Sequence, residues 1–262
     1  MSRDCRDGGR HGAGAPIQGV TVDFWHTLAY LPERPRQRLE EERRSIWTRH
    51  LVRGGLPSRQ APRWVRWWEK LDYRLERLGR APSIPAQCRL VGRAAAIRLR
   101  SLELQQDLDA ALLAAPVRRV PGAREALRRL EGVGVRIALL SNVVFETPVA
   151  ARALLAKLDL AKELPVRVYS AEHPWSKPDP RIYRCAMHKL RLRPSQGLHV
   201  GDLSLDVEGA LAAGMSVLRL TWEERHRGIA RLPGRWDVPT WSAASRWILA
   251  RASPRDERGA GA

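Results

Sequence analysis

From Val120 onward the sequence alternates short apolar runs with stretches of helical periodicity, and this alternation constrains the fold more than any other feature. Such a pattern is typical of a parallel sheet whose strands are joined by crossover helices. It predicts an α/β fold with a doubly wound, Rossmann-like sheet. We expect strands at residues 135–140, 166–169, 198–200 and 217–220, and helices at residues 121–130, 178–190 and 205–213.

One more strand is expected at residues 17–24, and helices follow it over residues 31–116. Apolar residues at spacings of three and four form a single stripe there, which favours packing among helices over a substrate slot. The stripe consists of Trp64, Trp67, Trp68, Leu71, Leu75 and Leu78. Further helices are expected at residues 37–51 and 87–104, with breaks at Gly54-Gly55 and from Pro82 to Pro85.

These patterns predict one α/β domain that is split by a helical insertion. The α/β domain takes in residues 16–30 and 119–235, and the insertion takes in residues 31–118. We expect residues 1–15 to be a disordered tail. The segment 236–262 is expected to hold a helix at residues 241–250 and then a second disordered tail.

Four groups of polar residues lie just beyond predicted strands. In open parallel sheets, ligands bind at the carboxyl ends of the strands, near the point where the strand order reverses. If the strands that end at Ser141 and Asp202 flank the strand that ends at Asp23, these groups meet at one site. The four groups are Asp23 to Thr27, Ser141-Asn142, Ser176 to Pro180, and Gly201 to Asp206.

The first of these groups resembles the nucleophile motif of the haloacid dehalogenase superfamily, in the branch with a helical cap. That motif reads Asp-x-Asp-x-Thr, and Asp23 and Thr27 match it, whereas Trp25 stands in place of the second Asp. The resemblance covers about residues 17–220. It implies a Rossmann-like core with an inserted α-helical cap at residues 31–118.

The other three motifs of the superfamily are matched in order. Ser141 follows a strand, Lys177 stands in a Lys-Pro-Asp run, and Asp202 and Asp206 follow Gly201. A carboxylate can attack an anionic phosphate ester only where cations and hydrogen-bond donors offset the charge. The resemblance therefore implies a magnesium-dependent hydrolase with an aspartate nucleophile, most readily a phosphatase that acts on a small phosphorylated metabolite through an aspartyl-phosphate.

The resemblance also implies a role for each matched residue. Mg²⁺ would be held by Asp23, the backbone carbonyl of Trp25 and Asp202, because Mg²⁺ prefers hard oxygen ligands. Asp23, Ser141 and Lys177 would carry the reaction. Thr27 and Asn142, with Lys177, would bind the phosphate, and Asp206 would hold Lys177 or a metal-bound water.

Trp25 leaves three functions open, because an indole only donates a hydrogen bond and cannot act as the general acid and base. The chain is a phosphatase for substrates with good leaving groups, or one that uses another acid/base, for which His26 is the nearest candidate. Alternatively it is a 2-haloacid dehalogenase-like hydrolase, although the Asp202 and Asp206 pair disfavours a metal-free site. The third alternative is a weakened binding or regulatory protein.

Composition bears on partners and location. The net charge is +18 over 262 residues, but the positive charge is spread along the chain and almost all of it is Arg, so no specific nucleic-acid partner is expected. Cys5, Cys88 and Cys185 have no metal-type spacing, which suits a reducing cytoplasm. No apolar run is long enough for a membrane span. The sequence does not indicate the oligomeric state.

Overall fold

The computed structural model describes residues 16–223 and 235–252. Its strands are β1 (Gly19–Val22), β2 (Ala29–Tyr30), β3 (Arg118–Arg119), β4 (Arg136–Ser141), β5 (Val166–Tyr169), β6 (Gly197–Gly201), β7 (Ser216–Leu220) and β8 (Arg235–Val238). Six of them form one parallel sheet in the order β5-β4-β1-β6-β7-β8. Strands β2 and β3 form a separate antiparallel pair.

In the described ranges, helices cover both faces of the sheet, and four further helices form a long insertion after β2. They are α1 (Glu33–Arg53), α2 (Ala61–Arg77), α3 (Ile84–Ala95), α4 (Ser101–Ala114), α5 (Ala123–Gly132), α6 (Pro148–Lys157), α7 (Pro180–Lys189), α8 (Ser204–Ala213) and α9 (Trp241–Leu249). Helices α1 to α4 lie between β2 and β3, and we call them the four-helix segment. None of the described helices is both long and apolar enough to cross a lipid bilayer.

Strand β4 shows why the sheet is buried on both faces. Its central residues are continuously apolar, as expected for a parallel strand covered by helices on each side. Ile137 and Leu139 join the cluster that includes α5 and α9, whereas Ala138 and Leu140 join the cluster that includes α7 and α8. The predicted α/β class with a parallel sheet is therefore confirmed.

The four-helix segment packs around buried aromatic side chains. The rings of Trp47 and Trp68 lie 6.0 Å apart between α1 and α2. The stripe expected on α2 is wrong in part, because Trp67 is 39% exposed and Leu78 is 75% exposed. The residues of α2 that are buried follow a different stripe at helical spacing, namely Ala61, Val65, Trp68 and Asp72.

The single helix expected at residues 87–104 is also wrong. Helix α3 ends at Ala95, Ala96 has a φ of 53°, and α4 begins only at Ser101. The chain folds back on Gly92, whose carbonyl accepts a hydrogen bond from the Ile97 amide at 2.9 Å. A Cβ at Gly92 would lie 2.8 Å from the Ile97 carbonyl oxygen, so a glycine permits this turn.

Other differences concern the ends of the sheet. Strand β1 is shorter than the predicted strand at 17–24, because Ile17 makes only an isolated bridge to Ala252 and the chain turns after Val22. Strands β2, β3 and β8 and helix α6 were not predicted from the sequence. The predicted helix at 241–250 corresponds to α9. The tails predicted at residues 1–15 and 254–262 lie outside the described residues.

Candidate active site

The carboxyl ends of three adjacent strands form the candidate site. Strand β1 lies between β4 and β6, and Val22 is in register with Leu139 on one side and Val200 on the other. Asp23 follows β1, Ser141 is the last residue of β4, and Asp202 follows β6. The arrangement that the sequence analysis required, with β4 and β6 flanking β1, is the one found.

Lys177 comes to this edge from the loop between β5 and α7. Its side chain is buried, and its Nζ donates hydrogen bonds to Asp23 Oδ1 and, at 2.7 Å, to Asp206 Oδ1. Asn142 fixes the loop, since its Oδ1 accepts from the Lys177 amide at 2.9 Å and its Nδ2 donates to the Lys177 carbonyl at 3.2 Å. Asp179 caps the N-terminus of α7, because its side chain accepts a hydrogen bond from the Arg181 amide. This cap explains why an Asp ends the Lys-Pro-Asp run.

Asp206 lies behind Lys177 in the first turn of α8. Besides Lys177, it accepts hydrogen bonds from His199 Nε2 at 3.0 Å and from the amides of Asp202 at 3.1 Å and Leu203 at 3.0 Å. These four donors match the roughly four lone-pair sites of a carboxylate. Asp206 is therefore fully used as a hydrogen-bond acceptor.

Gly201 and His199 permit this arrangement. A Cβ at Gly201 would lie 2.3 Å from Asp206 Cγ, so only glycine fits before Asp202. His199 is completely buried, and burial lowers its pKa. Because a carboxylate can only accept, His199 Nε2 carries the proton and Nδ1 accepts from the Thr21 hydroxyl at 2.8 Å. Sequence reasoning missed His199, since nothing distinguishes it within the apolar strand β6.

The buried charges perturb one another. Burial alone would raise the pKa of Asp206, but the Lys177 ammonium and the His199 hydrogen bond hold it well below its usual range. Burial alone would lower the pKa of Lys177, but the two carboxylates beside it raise it above the usual value. Lys177 and Asp206 therefore form a charged pair at neutral pH.

The pKa of Asp23 shifts upward, in the opposite direction to that of Asp206. Burial raises its pKa to about 8; the Lys177 ammonium opposes this shift, and the Asp206 and Asp202 carboxylates add to it. Oxygens of Asp23, Asp202 and Asp206 lie within 4.8 Å of one another. Because Asp206 is already saturated, Asp23 and Asp202 are the carboxylates that could hold a divalent cation, which would favour the ionised form of Asp23. This donor set of hard oxygens fits Mg²⁺.

The indole of Trp25 contacts the loop after β4. Its indole Nε1 donates to Glu146 Oε1 at 3.0 Å, and Glu146 is 5% exposed. Burial raises the pKa of Glu146, while Arg43 and the indole oppose that shift. Position 25 thus presents a hydrogen-bond donor that already has an acceptor, and no carboxyl group.

His26 and Thr27 are held by the C-terminal part of the chain. His26 Nδ1 lies 3.1 Å from Glu223 Oε1, and its carbonyl accepts from Trp222 Nε1 at 2.6 Å. The Thr27 carbonyl accepts from Trp241 Nε1 at 2.7 Å. The Thr27 hydroxyl oxygen is buried and has no hydrogen-bond partner among the described residues. Ser141 Oγ makes a long contact of 3.4 Å to the Asn142 carbonyl.

A cleft of about 250 Å³ lies between the four-helix segment and the loops that follow β1 and β4. Trp25 and Asn142 line its sheet side, and charged residues of α1 and α2 line the other side. Sequence reasoning missed the cleft residues Arg43, Asp72, Glu76 and Glu146. Only Asp72 leaves a sequence signal, because it falls four residues after Trp68 on α2.

The family follows from a comparison with known proteins. A model of the haloacid dehalogenase-like hydrolases matches residues 19–214. The chain belongs to this family. It is therefore a hydrolase of the haloacid dehalogenase-like type, as the motifs indicated.

Relatives within the family differ in their named activities. Over 108 residues the chain is 35% identical to a phosphoglycolate phosphatase of Pseudomonas savastanoi pv. phaseolicola. The aligned residues cover 40% of this chain and 38% of that protein. The chain thus matches less than half the length of this relative. It is 27% identical over 203 residues to (S)-2-haloacid dehalogenase 1 of Pseudomonas sp., covering 78% of this chain and 77% of that protein.

The fold is shared with solved structures. A haloacid dehalogenase-type phosphatase from Thermococcus onnurineus superposes with a TM-score of 0.62 at 18% identity, covering 90% of this chain and 99% of that one. At this identity the likeness extends to the fold alone.

Proposed function

We propose that this hydrolase is a magnesium-dependent phosphatase that acts on a small phosphorylated metabolite, with Asp23 as the nucleophile. The observation that supports it most is the buried group of Asp23, Lys177 and Asp202 at one edge of the sheet. Two carboxylates and an ammonium suit a metal ion and a phosphate, which need each other to offset their charges. A cleft lined by the four-helix segment, which we propose to be a cap over residues 31–118, would take the rest of the substrate.

The Mg²⁺ ligands in this proposal are Asp23, the backbone carbonyl of Trp25 and Asp202. When bound, Mg²⁺ would offset the negative charge of the phosphate and of Asp23. Asp206 remains the residue that orients Lys177, because its four hydrogen bonds leave no lone pair for a metal.

The reaction takes place in two displacements. A carboxylate oxygen of Asp23 attacks phosphorus, the bond from phosphorus to the alcohol oxygen breaks, and an aspartyl-phosphate forms. Water then attacks that phosphorus, releasing inorganic phosphate and regenerating the carboxylate. Lys177 offsets charge on the phosphoryl oxygens, and the Ser141 and Thr27 hydroxyls donate to them; the unpartnered Thr27 hydroxyl supports this role.

The leaving alcohol receives no proton from position 25. Substrates with good leaving groups are therefore favoured, since an alkoxide of low basicity departs without protonation. His26 is the proton donor proposed in place of the missing carboxyl. It lines the cleft, and its contact with Glu223 would stabilise the protonated ring.

The test is phosphate release from 4-nitrophenyl phosphate in the presence and absence of Mg²⁺. We expect turnover that EDTA abolishes and that Asp23→Asn lowers by at least about a thousandfold, because the amide cannot form the covalent intermediate. Asp179→Asn, a change to the carboxylate that begins α7, is the matched control and should retain most of the rate. Equal rates of phosphate release for the wild type and Asp23→Asn would contradict the proposal.

A 2-haloacid dehalogenase activity is the second candidate. It is supported by the aromatic residue at position 25 and by the similarity to (S)-2-haloacid dehalogenase 1 over most of the chain. In this reaction Asp23 would displace halide from carbon, and water would hydrolyse the ester. Chloride release from 2-chloropropionate in EDTA, lost in Asp23→Asn, would establish it in place of the phosphatase.

A further inference from the structure

The cleft beside the candidate site has a distinctive charge arrangement. Its two arginines already have acidic neighbours, since Arg36 is paired with Glu40, and an Arg43 Nη atom lies 3.9 Å from Glu146 Oε2. Among the residues that the structure describes, the carboxyl group of Asp72 on α2 has no cationic partner. The uncompensated charge of the cleft is therefore acidic and belongs to its α2 wall.

Asp72 is buried where α2 would normally carry an apolar residue. It is 6% exposed, lines the cleft, and its Oδ1 has no hydrogen-bond partner among the described residues. Glu76 follows one helical turn later and lines the same wall, with its Oε1 accepting from Asn142 Nδ2 at 3.1 Å. A buried carboxyl oxygen without a partner costs stability, and this cost would be offset by a ligand that supplies the partner.

The electrostatic surroundings indicate which kind of group that is. Burial raises the pKa of Asp72 to about 7, and the Glu76 carboxylate adds to this shift. A cation in the cleft would offset both the cost of ionising the buried Asp72 carboxyl and its repulsion from Glu76. A hydroxyl would satisfy one hydrogen bond but supply no charge, and a methyl group would supply neither.

We propose that Asp72 recognises an ammonium group on the alcohol portion of the substrate, so that the enzyme takes phosphate monoesters of small amino alcohols. This inference rests on the proposed phosphatase function. The phosphate would lie at Asp23 and Lys177, and the ammonium would lie across the cleft between Asp72 and Glu76. A cleft of about 250 Å³ limits the alcohol to a small molecule.

Binding to the Asp23→Asn protein tests the proposal without turnover. The probes are 2-aminoethyl, 2-hydroxyethyl and n-propyl phosphate, which have the same number of non-hydrogen atoms and differ in one terminal group. Isothermal titration with Mg²⁺ present should show the aminoethyl ester binding about tenfold or more tighter than the propyl ester. The hydroxyethyl ester should fall between them.

Substitution of Asp72 should remove this preference. With Asp72→Asn in the same background, we expect the aminoethyl and propyl esters to bind within about threefold of each other. Glu69→Gln, on the same helix but outside the cleft, should keep the wild-type preference. Asp72→Ala gives a second variant if the amide itself binds the amine.

Equal affinities for the aminoethyl and propyl esters, including no measurable binding of either, would overturn the proposal. So would an aminoethyl preference that persists in both Asp72 variants. Equal affinities for the aminoethyl and hydroxyethyl esters would show that a hydroxyl is recognised instead. Failure of the phosphatase function is seen separately, as absence of phosphate release from 4-nitrophenyl phosphate.

Discussion

Trp25 determines which step of the proposed reaction lacks a residue. Replacing it by Asp would place a carboxyl group where phosphatases of this family carry their acid/base. Because alkoxides leave poorly without a proton, we expect Trp25→Asp to raise kcat on ethyl phosphate by ~10²–10⁴, and much less on 4-nitrophenyl phosphate. Steady-state phosphate release from the two esters measures this difference.

The hydrogen bond between Trp25 and Glu146 determines the controls for that experiment. Loss of the indole leaves Glu146 without its donor and places a new carboxyl near a buried one, so Trp25→Asp is best compared with Trp25→Asp/Glu146→Gln. Trp25→Phe removes the same donor and adds no acid. Our account of Trp25 fails if Phe accelerates the alkyl ester as much as Asp does, or if both esters gain equally.

Asp72 predicts a pH dependence of stability. Its pKa rises from 3.8 in the unfolded chain to about 7 in the folded protein. Below about pH 4 both states hold the proton, so Asp72 costs no stability; between about pH 4 and about pH 7 only the unfolded state ionises, so this contribution falls across that window and the loss is complete above about pH 7. Asp72→Asn lacks this loss and should exceed the wild type in unfolding free energy by about 1–3 kcal/mol at high pH.

Urea unfolding at about pH 5 and about pH 8 checks this prediction. The advantage of Asp72→Asn should be larger at the higher pH. An advantage that is independent of pH, or a destabilised variant at both values, would mean that Asp72 has a structural partner and that its pKa is ordinary.

The positions of individual residues were predictable where short motifs carry them. Asp23, Lys177 and Asp202 follow strands in order, and the parallel sheet brings them to one edge regardless of the helices between them. Asp72 and Glu146 were not predictable, because they come to the cleft through packing of α2 and of the loop after β4. No local sequence pattern predicts that residues of a helix and of a distant loop will line the same cleft.

At the scale of elements, the end of α2 contacts the loop that carries Lys177. The Gly79 carbonyl accepts from the Ser176 amide at 2.9 Å. Gly79 has a φ of +70°, and a Cβ there would lie 2.9 Å from Asp179 Cβ. Gly79→Ala should lower the unfolding free energy by ~1–3 kcal/mol and reduce kcat, since it strains the loop beside Lys177.

The matched control is Gly132→Ala in α5, where a Cβ would meet no atom within 4 Å. This change should be neutral or stabilise by up to ~1 kcal/mol, because alanine is the better helix former. Thermal unfolding and phosphate release are measured for both variants. If the two substitutions behave alike, the contact between Gly79 and Ser176 does not position Lys177.

Element prediction failed where tertiary contacts decide. Strands β2 and β3 contain two residues each and exist only as a pair, so neither carries a periodic signal. Strand β8 is half polar because it lies at the edge of the sheet, and its Asp237 is paired with Arg219 of β7 at 3.0 Å. Helix α6 begins at Pro148, directly after Thr147, which caps it and also contacts Asp109 of α4.

At the scale of the whole molecule, a hydrogen bond connects α9 to the loop after β1, although the two lie near opposite ends of the described sequence. Trp241→Phe would keep an aromatic side chain, although a smaller one, and remove the donor to the buried Thr27 carbonyl. We expect a loss of about 1–3 kcal/mol in unfolding free energy and a lower rate of phosphate release. Trp247→Phe, on the same helix, should change neither; a similar loss there would remove the special role of Trp241.

The contact between Trp241 and Thr27 also has a consequence for biosynthesis. Asp23 is translated early, yet the loop that follows it depends on a side chain that leaves the ribosome more than two hundred residues later. Under the proposed function, a chain that lacks α9 would lose this support for the loop beside Asp23, and we expect such a partial translation product to be inactive.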